Sequence, residues 1–105
     1  MAELRTAEVE DLLEVLARLD DKDTLFRLLE DLFTIREIRE SSQRLSVARM
    51  LADGRSYAKI EEATGASATT IARVSKCLSY GTGGYGAALA VLEEADGESG
   101  CGTDA

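Results

Sequence analysis

The fold is decided by the segment from Gly54 to Leu78, which reads GRSYAKIEEATGASATTIARVSKCL. Gly54 ends the preceding helix, since glycine adopts the left-handed conformation common just past a helix end without penalty. Ser56 and Ser67 are each placed to cap the start of a helix. Gly65 lies between these two helices and supplies the turn. The segment therefore predicts two short helices joined by a tight corner.

The apolar residues of this segment recur at helical spacing. We expect the first helix to bury Tyr57, Ile60 and either Ala63 or Thr64. We expect the second helix to pack against the first through Ile71, Val74 and Leu78. This pattern predicts a helix-turn-helix over residues 56–78, a motif that places its second helix in the DNA major groove.

The other face of the second helix is polar or small, and it carries Ala68, Thr69, Thr70, Ala72, Arg73 and Lys76. Small residues let a helix lie close to base edges, and Arg73 can reach a guanine or a phosphate. The predicted DNA-contacting residues are these six together with Arg55, Ser56, Lys59 and Ser67. The alternative is an ordinary helical hairpin with a glycine corner.

The net charge of −8 is unusual for a DNA-binding protein until it is divided along the chain. Residues 1–42 hold 6 basic and 12 acidic side chains, residues 43–80 hold 6 and 3, and residues 81–105 hold none and 5. The small positive excess therefore coincides with the predicted DNA-binding element, and the alternative is chance. We expect modest, salt-sensitive affinity per subunit and tighter binding by a dimer with two motifs.

Several separate motifs, in order, resemble one family. They are DLFTIREIRE at 31–40, QRLSVARML at 43–51, SYAKIE at 56–61, TGAS at 64–67 and YGTGGY at 80–85. The chain thereby resembles the YerC/YecD family, which is similar to the tryptophan repressor, over about residues 24–90. The resemblance implies an all-helical, intertwined homodimer that regulates transcription.

The resemblance to the tryptophan repressor also implies residue roles. Base-reading residues would fall at Ala68, Thr69 and Ala72, with Thr70 nearer the DNA backbone. Glu61 stands where the repressor has a DNA-contacting lysine. A glutamate opposes phosphate contact but can accept a hydrogen bond from a cytosine amino group.

The same likeness bears on ligand binding. The two arginines that hold tryptophan in the repressor correspond to Arg44 and Arg73. The repressor has glycine directly after the second arginine, where this chain has Val74. A branched side chain fills the space that an indole needs, so we expect no tryptophan binding. The alternative for Arg44 is a surface arginine or a phosphate contact.

The N-terminal half predicts three further helices. Thr6–Leu19 carries one apolar stripe and is broken by the acidic run 20–23. Thr24–Phe33 is apolar on more than one face, so we expect it to need two partners, one of them a second subunit. Residues 34–37 fit a capping box that opens a helix running to Gly54, with a break expected at Ser41 and Ser42.

After the second helix of the motif, Gly81–Gly84 predicts a loop flanked by Tyr80 and Tyr85. A nucleotide-binding loop is the weaker alternative, because no Gly-Lys-Ser/Thr follows and no strand precedes it. Residues 87–94 predict a short helix. We expect one helical domain over residues 1–95 and a disordered Gly-rich, acidic tail over 96–105.

Other function classes find little support in the composition. The chain has no histidine, and Cys77 and Cys101 lie far apart, so we expect no enzyme activity, no cofactor and no metal site. No apolar run is long enough to span a membrane, and no signal peptide is indicated, so we expect a cytoplasmic protein with reduced thiols.

The sequence therefore predicts a small all-α homodimer that binds palindromic double-stranded DNA, with half-sites about one helical turn apart. The alternative is a helical protein–protein interaction module, whose acidic N-terminal half binds a basic partner and whose helix-turn-helix is not functional.

Overall fold

The computed structural model describes residues 4–99. Over that range the chain forms helices joined by short connections and contains no strand. The helices are α1 (Ala7–Arg18), α2 (Lys22–Leu32), α3 (Ile35–Ala52), α4 (Tyr57–Thr64), α5 (Ala68–Tyr80) and α6 (Gly84–Ser99). The chain divides into two compact units, and the boundary falls within α3, between Ile38 and Arg39. None of the described helices is both long and apolar enough to cross a membrane.

The first unit begins with two capped helices. Thr6 caps α1, and its hydroxyl oxygen accepts a hydrogen bond from the Val9 backbone N–H at 3.3 Å. Asp21 caps α2, and its carboxylate accepts from the Thr24 hydroxyl at 2.6 Å and from the Thr24 backbone N–H at 3.0 Å. The acidic run 20–23 thus separates α1 from α2, as predicted, and also supplies the N-cap of α2. Helix α2 begins at Lys22, two residues earlier than predicted.

Apolar side chains remain at the surface of the first unit. Over their described lengths, neither α1 nor α2 contains a buried residue. The large exposed apolar residues of this part are Leu4, Leu13, Val15, Phe26, Leu32, Phe33 and Ile35. Phe26 is 52% exposed, a large fraction for an aromatic side chain, so this unit does not bury its own apolar faces.

The capping box that opens α3 forms as predicted. The Thr34 hydroxyl oxygen accepts from the Glu37 backbone N–H at 3.0 Å, and the Glu37 carboxylate accepts from the Thr34 backbone N–H at 2.9 Å. The predicted break at Ser41 and Ser42 is wrong, because α3 continues unbroken across both. Serine costs an α-helix only a fraction of a kcal/mol per residue, about 0.5. Burial of the apolar residues that follow in α3 outweighs a cost of that size.

The core of the second unit is formed by α3, α4, α5 and the corner between α4 and α5. Its buried residues are Val47, Ala48, Ile60, Ala66, Ile71 and Val74. Met50, Leu51, Tyr85 and Leu89 are partly buried and pack against them. Ile60, Ile71 and Val74 are buried as the apolar spacing predicts, whereas Leu78 is only half-buried.

The prediction that Tyr57 is buried is wrong, since this side chain is 43% exposed. Tyr57 is the first residue of α4, at the margin of the packed surface, and its phenol group tolerates contact with water. Of the two residues proposed to share the buried face, Thr64 is half-buried and Ala63 is exposed.

Helix α6 is longer than the predicted helix over 87–94 at both ends. Glycine costs a helix about 1 kcal/mol relative to alanine, so Gly84, Gly86 and Gly97 argued for a shorter element. Packing of Tyr85 and Leu89 against the core anchors the first turns and offsets that cost. The helix also continues past the predicted tail boundary at residue 96, while residues 100–105 of that tail, with Cys101, lie outside the described residues.

Candidate nucleic-acid interface

The corner between α4 and α5 is built by two serine caps and a glycine. The Ser56 hydroxyl oxygen accepts from the Lys59 backbone N–H, and the Ser67 hydroxyl oxygen accepts from the Thr70 backbone N–H, both at 3.2 Å. Gly65 has φ +77°, in the left-handed region, and its N–H donates to the Glu61 carbonyl oxygen at 2.8 Å. The sequence predicted both caps and the glycine turn.

Side-chain hydrogen bonds hold the corner in place. The Thr64 hydroxyl donates to the Ile60 carbonyl oxygen at 2.7 Å and accepts from the Ala66 backbone N–H at 3.1 Å. The Gln43 side-chain amide donates to the Thr64 carbonyl oxygen at 3.0 Å, which links α3 to the end of α4. Sequence reasoning missed Gln43. The available signal was an amide side chain at the start of an apolar run, where a buried polar group needs a partner.

One face of α5 is exposed along the helix. Thr69, Ala72, Arg73 and Lys76 are spaced i, i+3, i+4 and i+7, and all four are exposed. We call these four residues the α5 stripe. It lies opposite the buried Ile71 and Val74, whose packing fixes the rotation of α5 in the second unit. Ala68 is also exposed and adjoins the stripe at the start of the helix.

Two of the predicted DNA-contacting residues, Ser67 and Thr70, also hydrogen-bond in the cap of α5. The Ser67 and Thr70 hydroxyl groups hydrogen-bond to each other at 3.2 Å, in addition to the bond from the Thr70 backbone N–H. Thr70 is half-buried at the edge of the stripe. The cap therefore occupies hydroxyl groups that the sequence assigned to DNA contact.

The basic side chains before and within α4 are exposed. Arg55 and Lys59 both lie at the surface, close in sequence to the cap at Ser56. Glu61 is exposed as well. Arg49 forms an ion pair with Asp96 of α6, so one of the basic residues counted in 43–80 is paired with an acidic residue from the C-terminal part. The exposed ion pair contributes little stability, but it offsets one positive charge of residues 43–80.

The two predicted ligand-binding arginines lie on different helices and differ in exposure. Arg44 is half-buried on α3, Arg73 is exposed on α5, and Val74 is only 1% exposed. A cavity of about 390 Å³ is lined by Leu45, Cys77, Gly81, Thr82, Gly84, Tyr85 and Ala88. A second, of about 470 Å³, is lined by Arg49, Ala52, Asp53, Gly86, Leu89, Ala90, Glu93 and Asp96. Among the described residues, Arg44 and Arg73 line neither of these two cavities.

The glycine loop after α5 has a steric explanation. Gly81 closes α5, and its N–H donates to the Cys77 carbonyl oxygen at 2.8 Å. A Cβ at Gly81 would clash with that same carbonyl oxygen, so a side chain cannot be added without moving the backbone. Gly83 has φ +94°, which L-residues with a side chain rarely adopt. The loop therefore ends α5 and needs glycine at two positions, for a steric reason at Gly81 and for its backbone conformation at Gly83.

The helix order and the corner agree with a known family. A family model described as "Trp repressor protein" matches residues 7–93. The chain belongs to the Trp repressor family. A similar protein is YerC of Bacillus subtilis (strain 168), which is described as uncharacterized. It is 46% identical over 96 residues, and these cover 91% of this chain and 92% of YerC.

Solved structures support the family assignment at the level of the fold. The crystal structure of a TrpR-like protein from Eubacterium eligens ATCC 27750 superimposes with a TM-score of 0.81 at 43% identity, and covers 86% of this chain and 93% of that one. A second structure, from Staphylococcus aureus, gives a TM-score of 0.81 at 37% identity, with coverage of 86% and 90%. The chain therefore has the all-helical fold of TrpR-like proteins, and the resemblance to the YerC group read from its motifs is confirmed.

Proposed function

We propose that this protein is a sequence-specific transcriptional repressor that binds a palindromic operator in double-stranded DNA as a homodimer. The observation that carries the proposal is the α5 stripe, an exposed and positively charged face opposite a fully buried one. The corner before α5 has the caps and glycine turn of a helix-turn-helix. Membership in the Trp repressor family supports the same function.

In this proposal α5 is the recognition helix. The first residues of such a helix contact base edges, and the preceding helix crosses the phosphate backbone. Thr69 and Ala72 would face the bases, and Arg73 would reach a guanine or a phosphate. Arg55, Lys59 and Lys76 would contact phosphates, which set position and affinity but not sequence preference. Repression would follow from occupying the DNA, with no catalytic step.

The homodimer is supported by the apolar surface of the first unit. Several large apolar side chains of α1 and α2 are exposed in the isolated chain, including Leu13 and Phe26. Large exposed apolar side chains on two neighbouring elements are typical of an interaction site, and a second copy of this chain presents the same surface. A symmetric dimer would place two recognition helices on half-sites about one turn of DNA apart, roughly 34–36 Å.

The test is selection of fragmented genomic DNA from the source organism on the purified full-length protein, run in parallel with two variants. Arg73→Ala removes one positive charge from the α5 stripe. Arg49→Ala removes the same charge from α3, where the side chain pairs with Asp96 instead. We expect wild type and Arg49→Ala to enrich one shared palindrome and Arg73→Ala to lose it.

Enrichment of no sequence by wild type would contradict the proposed function. Equal enrichment by wild type and Arg73→Ala would show that operator binding does not need a contact from Arg73. If Thr69→Ala and Arg73→Ala both leave every measured interaction unchanged, the alternative of a protein–protein interaction module is favoured instead.

A further inference from the structure

The exposed face of α5 divides into two chemically different halves. Its first half presents Ala68, Thr69 and Ala72, which are all exposed and all carry methyl groups. Its second half presents Arg73 and Lys76, which are exposed and positively charged. The first half lies at the N-terminal end of the helix, where a recognition helix contacts base edges.

Hydrogen-bonding side chains are scarce in that first half. Residues 67–72 contain no Arg, Lys, Asn, Gln, Asp or Glu, the residue types that read guanine, adenine and cytosine directly. The Ser67 hydroxyl donates to the Thr70 hydroxyl oxygen and accepts from the Thr70 backbone N–H in the cap. What remains at the surface is a patch of methyl groups with one hydroxyl, that of Thr69.

The major groove offers one apolar group that such a patch can distinguish, the C5-methyl group of thymine. Contact between methyl groups excludes water from both, and burying one carbon is worth about 0.8 kcal/mol, or roughly fourfold in affinity. A cytosine at the same position carries no C5-methyl group, so it would lose this contact.

We propose that the first two turns of α5 read thymine through its methyl group, with Ala68, Thr69 and Ala72 as the contacting residues. This inference rests on the proposed function and specifies its DNA. Each half-site then contains at least one required thymine facing Thr69, and Arg73, one turn further along, contacts the adjacent guanine or phosphate. Specificity at the thymine is carried by a methyl group and does not need a hydrogen bond.

The first experiment replaces thymine by uracil, which lacks only the C5-methyl group and keeps the same base pairing. The full-length protein first selects its palindrome from a random duplex pool. Duplexes are then made in which uracil replaces thymine at one symmetric pair of positions, and fluorescence anisotropy measures the affinity for each of them. We expect a loss of about fourfold per methyl group, or about 16-fold for a symmetric pair, at the contacted thymines. Uracil at the outermost positions should have no effect.

The second experiment separates the methyl group of Thr69 from its hydroxyl group. Thr69→Ser removes the methyl, and Thr69→Val replaces the hydroxyl by a methyl, while the three residues have similar helix propensities. We expect Thr69→Ser to lower the affinity of the dimer for its palindrome by about 16-fold. In this variant, replacing the thymine that faces residue 69 by uracil should have no further effect on affinity. Thr69→Val keeps a methyl group, so we expect it still to bind the thymine palindrome more tightly than the uracil palindrome, by about 16-fold. Thermal unfolding of both variants checks that the fold is unchanged.

The outcomes separate this inference from the proposed function. If a palindrome is enriched but uracil binds as well as thymine at every position, the methyl inference is overturned and the proposed function stands. The same holds if Thr69→Val loses affinity while Thr69→Ser retains it, since the hydroxyl then does the reading. If no palindrome is enriched, the proposed function fails and the inference fails with it.

Discussion

Gly65 and Gly86 differ in backbone conformation, so we expect the same substitution to have opposite effects on stability at the two positions. Gly65 has φ +77° at the corner, whereas Gly86 lies in α6, and a Cβ at either position would meet no described heavy atom within 4 Å. Space is therefore equal at the two positions, and only backbone conformation differs. We expect Gly65→Ala to lower the free energy of unfolding by about 1–2 kcal/mol, because an L-residue pays for the left-handed conformation.

The matched control is Gly86→Ala, which should raise the free energy of unfolding by up to about 1 kcal/mol, since alanine favours a helix interior. Urea denaturation followed by circular dichroism measures both variants. A stabilising Gly65→Ala, or equal effects of the two substitutions, would contradict the assigned corner.

At the residue scale, the sequence predicted what depends on neighbours in the chain. Ser56, Ser67 and Thr34 each cap their own helix, so a short window contains all the relevant atoms. The bond from Gln43 to the Thr64 carbonyl oxygen joins residues 21 positions apart, and no local pattern encodes such a partner. The exposure of Tyr57 likewise depends on where α4 meets the core rather than on its helical spacing.

At the scale of elements, the cap of α2 makes its stability depend on pH. The hydrogen bond from the Thr24 hydroxyl, and then the bond from its backbone N–H, lower the pKa of Asp21 below its usual 3.8. A carboxyl group with a lowered folded-state pKa stabilises the folded form above the unfolded value and loses this contribution as the pH falls through the folded value. Stability from this cap should therefore be complete above about pH 5 and decline below pH 3.8.

The variant Asp21→Asn tests this dependence, because asparagine caps a helix about as well as aspartate but does not titrate. We expect Asp21→Asn to unfold with a shallower dependence on pH below 3.8 than wild type and with a similar dependence above pH 5. Thermal unfolding over a series of acidic buffers measures the difference. Parallel curves for the two proteins over the whole range would contradict the role of the Asp21 carboxylate.

The helices that the sequence placed best are those with both a cap and an apolar stripe. α1 agrees with its prediction to within a residue at each end, and α4 and α5 begin directly after their predicted caps. The prediction for α3 contained a break that does not exist, and the prediction for α6 was too short, because Ser41, Ser42 and the glycines of α6 were weighed by propensity alone. Propensity costs fractions of a kcal/mol to about 1 kcal/mol per residue, and tertiary packing outweighs it.

At the scale of the whole molecule, the exposed apolar residues of α1 and α2 should be covered by a second copy. We expect sedimentation equilibrium to give the mass of a dimer for wild type. Phe26→Glu puts a charge on the apolar surface and should yield the monomer mass. Glu30→Gln, also on α2 but exposed and polar, should leave the dimer intact.

Loss of the dimer should also weaken operator binding by about 10²–10⁴-fold, because the second half-site contact is no longer intramolecular. A wild-type protein that sediments as a monomer at concentrations where it binds DNA would refute the symmetric arrangement.

Phosphate contacts by the whole dimer should appear in the salt dependence of binding. Each phosphate neutralised contributes about −0.9 to the slope of log K against log salt concentration. Lys59→Ala removes one proposed contact per subunit, so we expect the slope for the dimer to become less steep by about two. Binding titrations at several salt concentrations between about 50 and 200 mM measure this slope. Lys22→Ala, an equal loss of charge at the start of α2, should leave the slope unchanged.

If the outer face of α5 reads a DNA sequence, the wild-type protein must bind its operator much more tightly than other DNA, so the first measurement is this specificity ratio. The affinity for the selected palindrome is divided by the affinity for a duplex of the same length and composition in scrambled order, at one fixed salt concentration. We expect a ratio of at least about 10³, as found for specific regulators. A ratio near one would mean that the protein is attracted only to phosphates and that α5 does not read sequence.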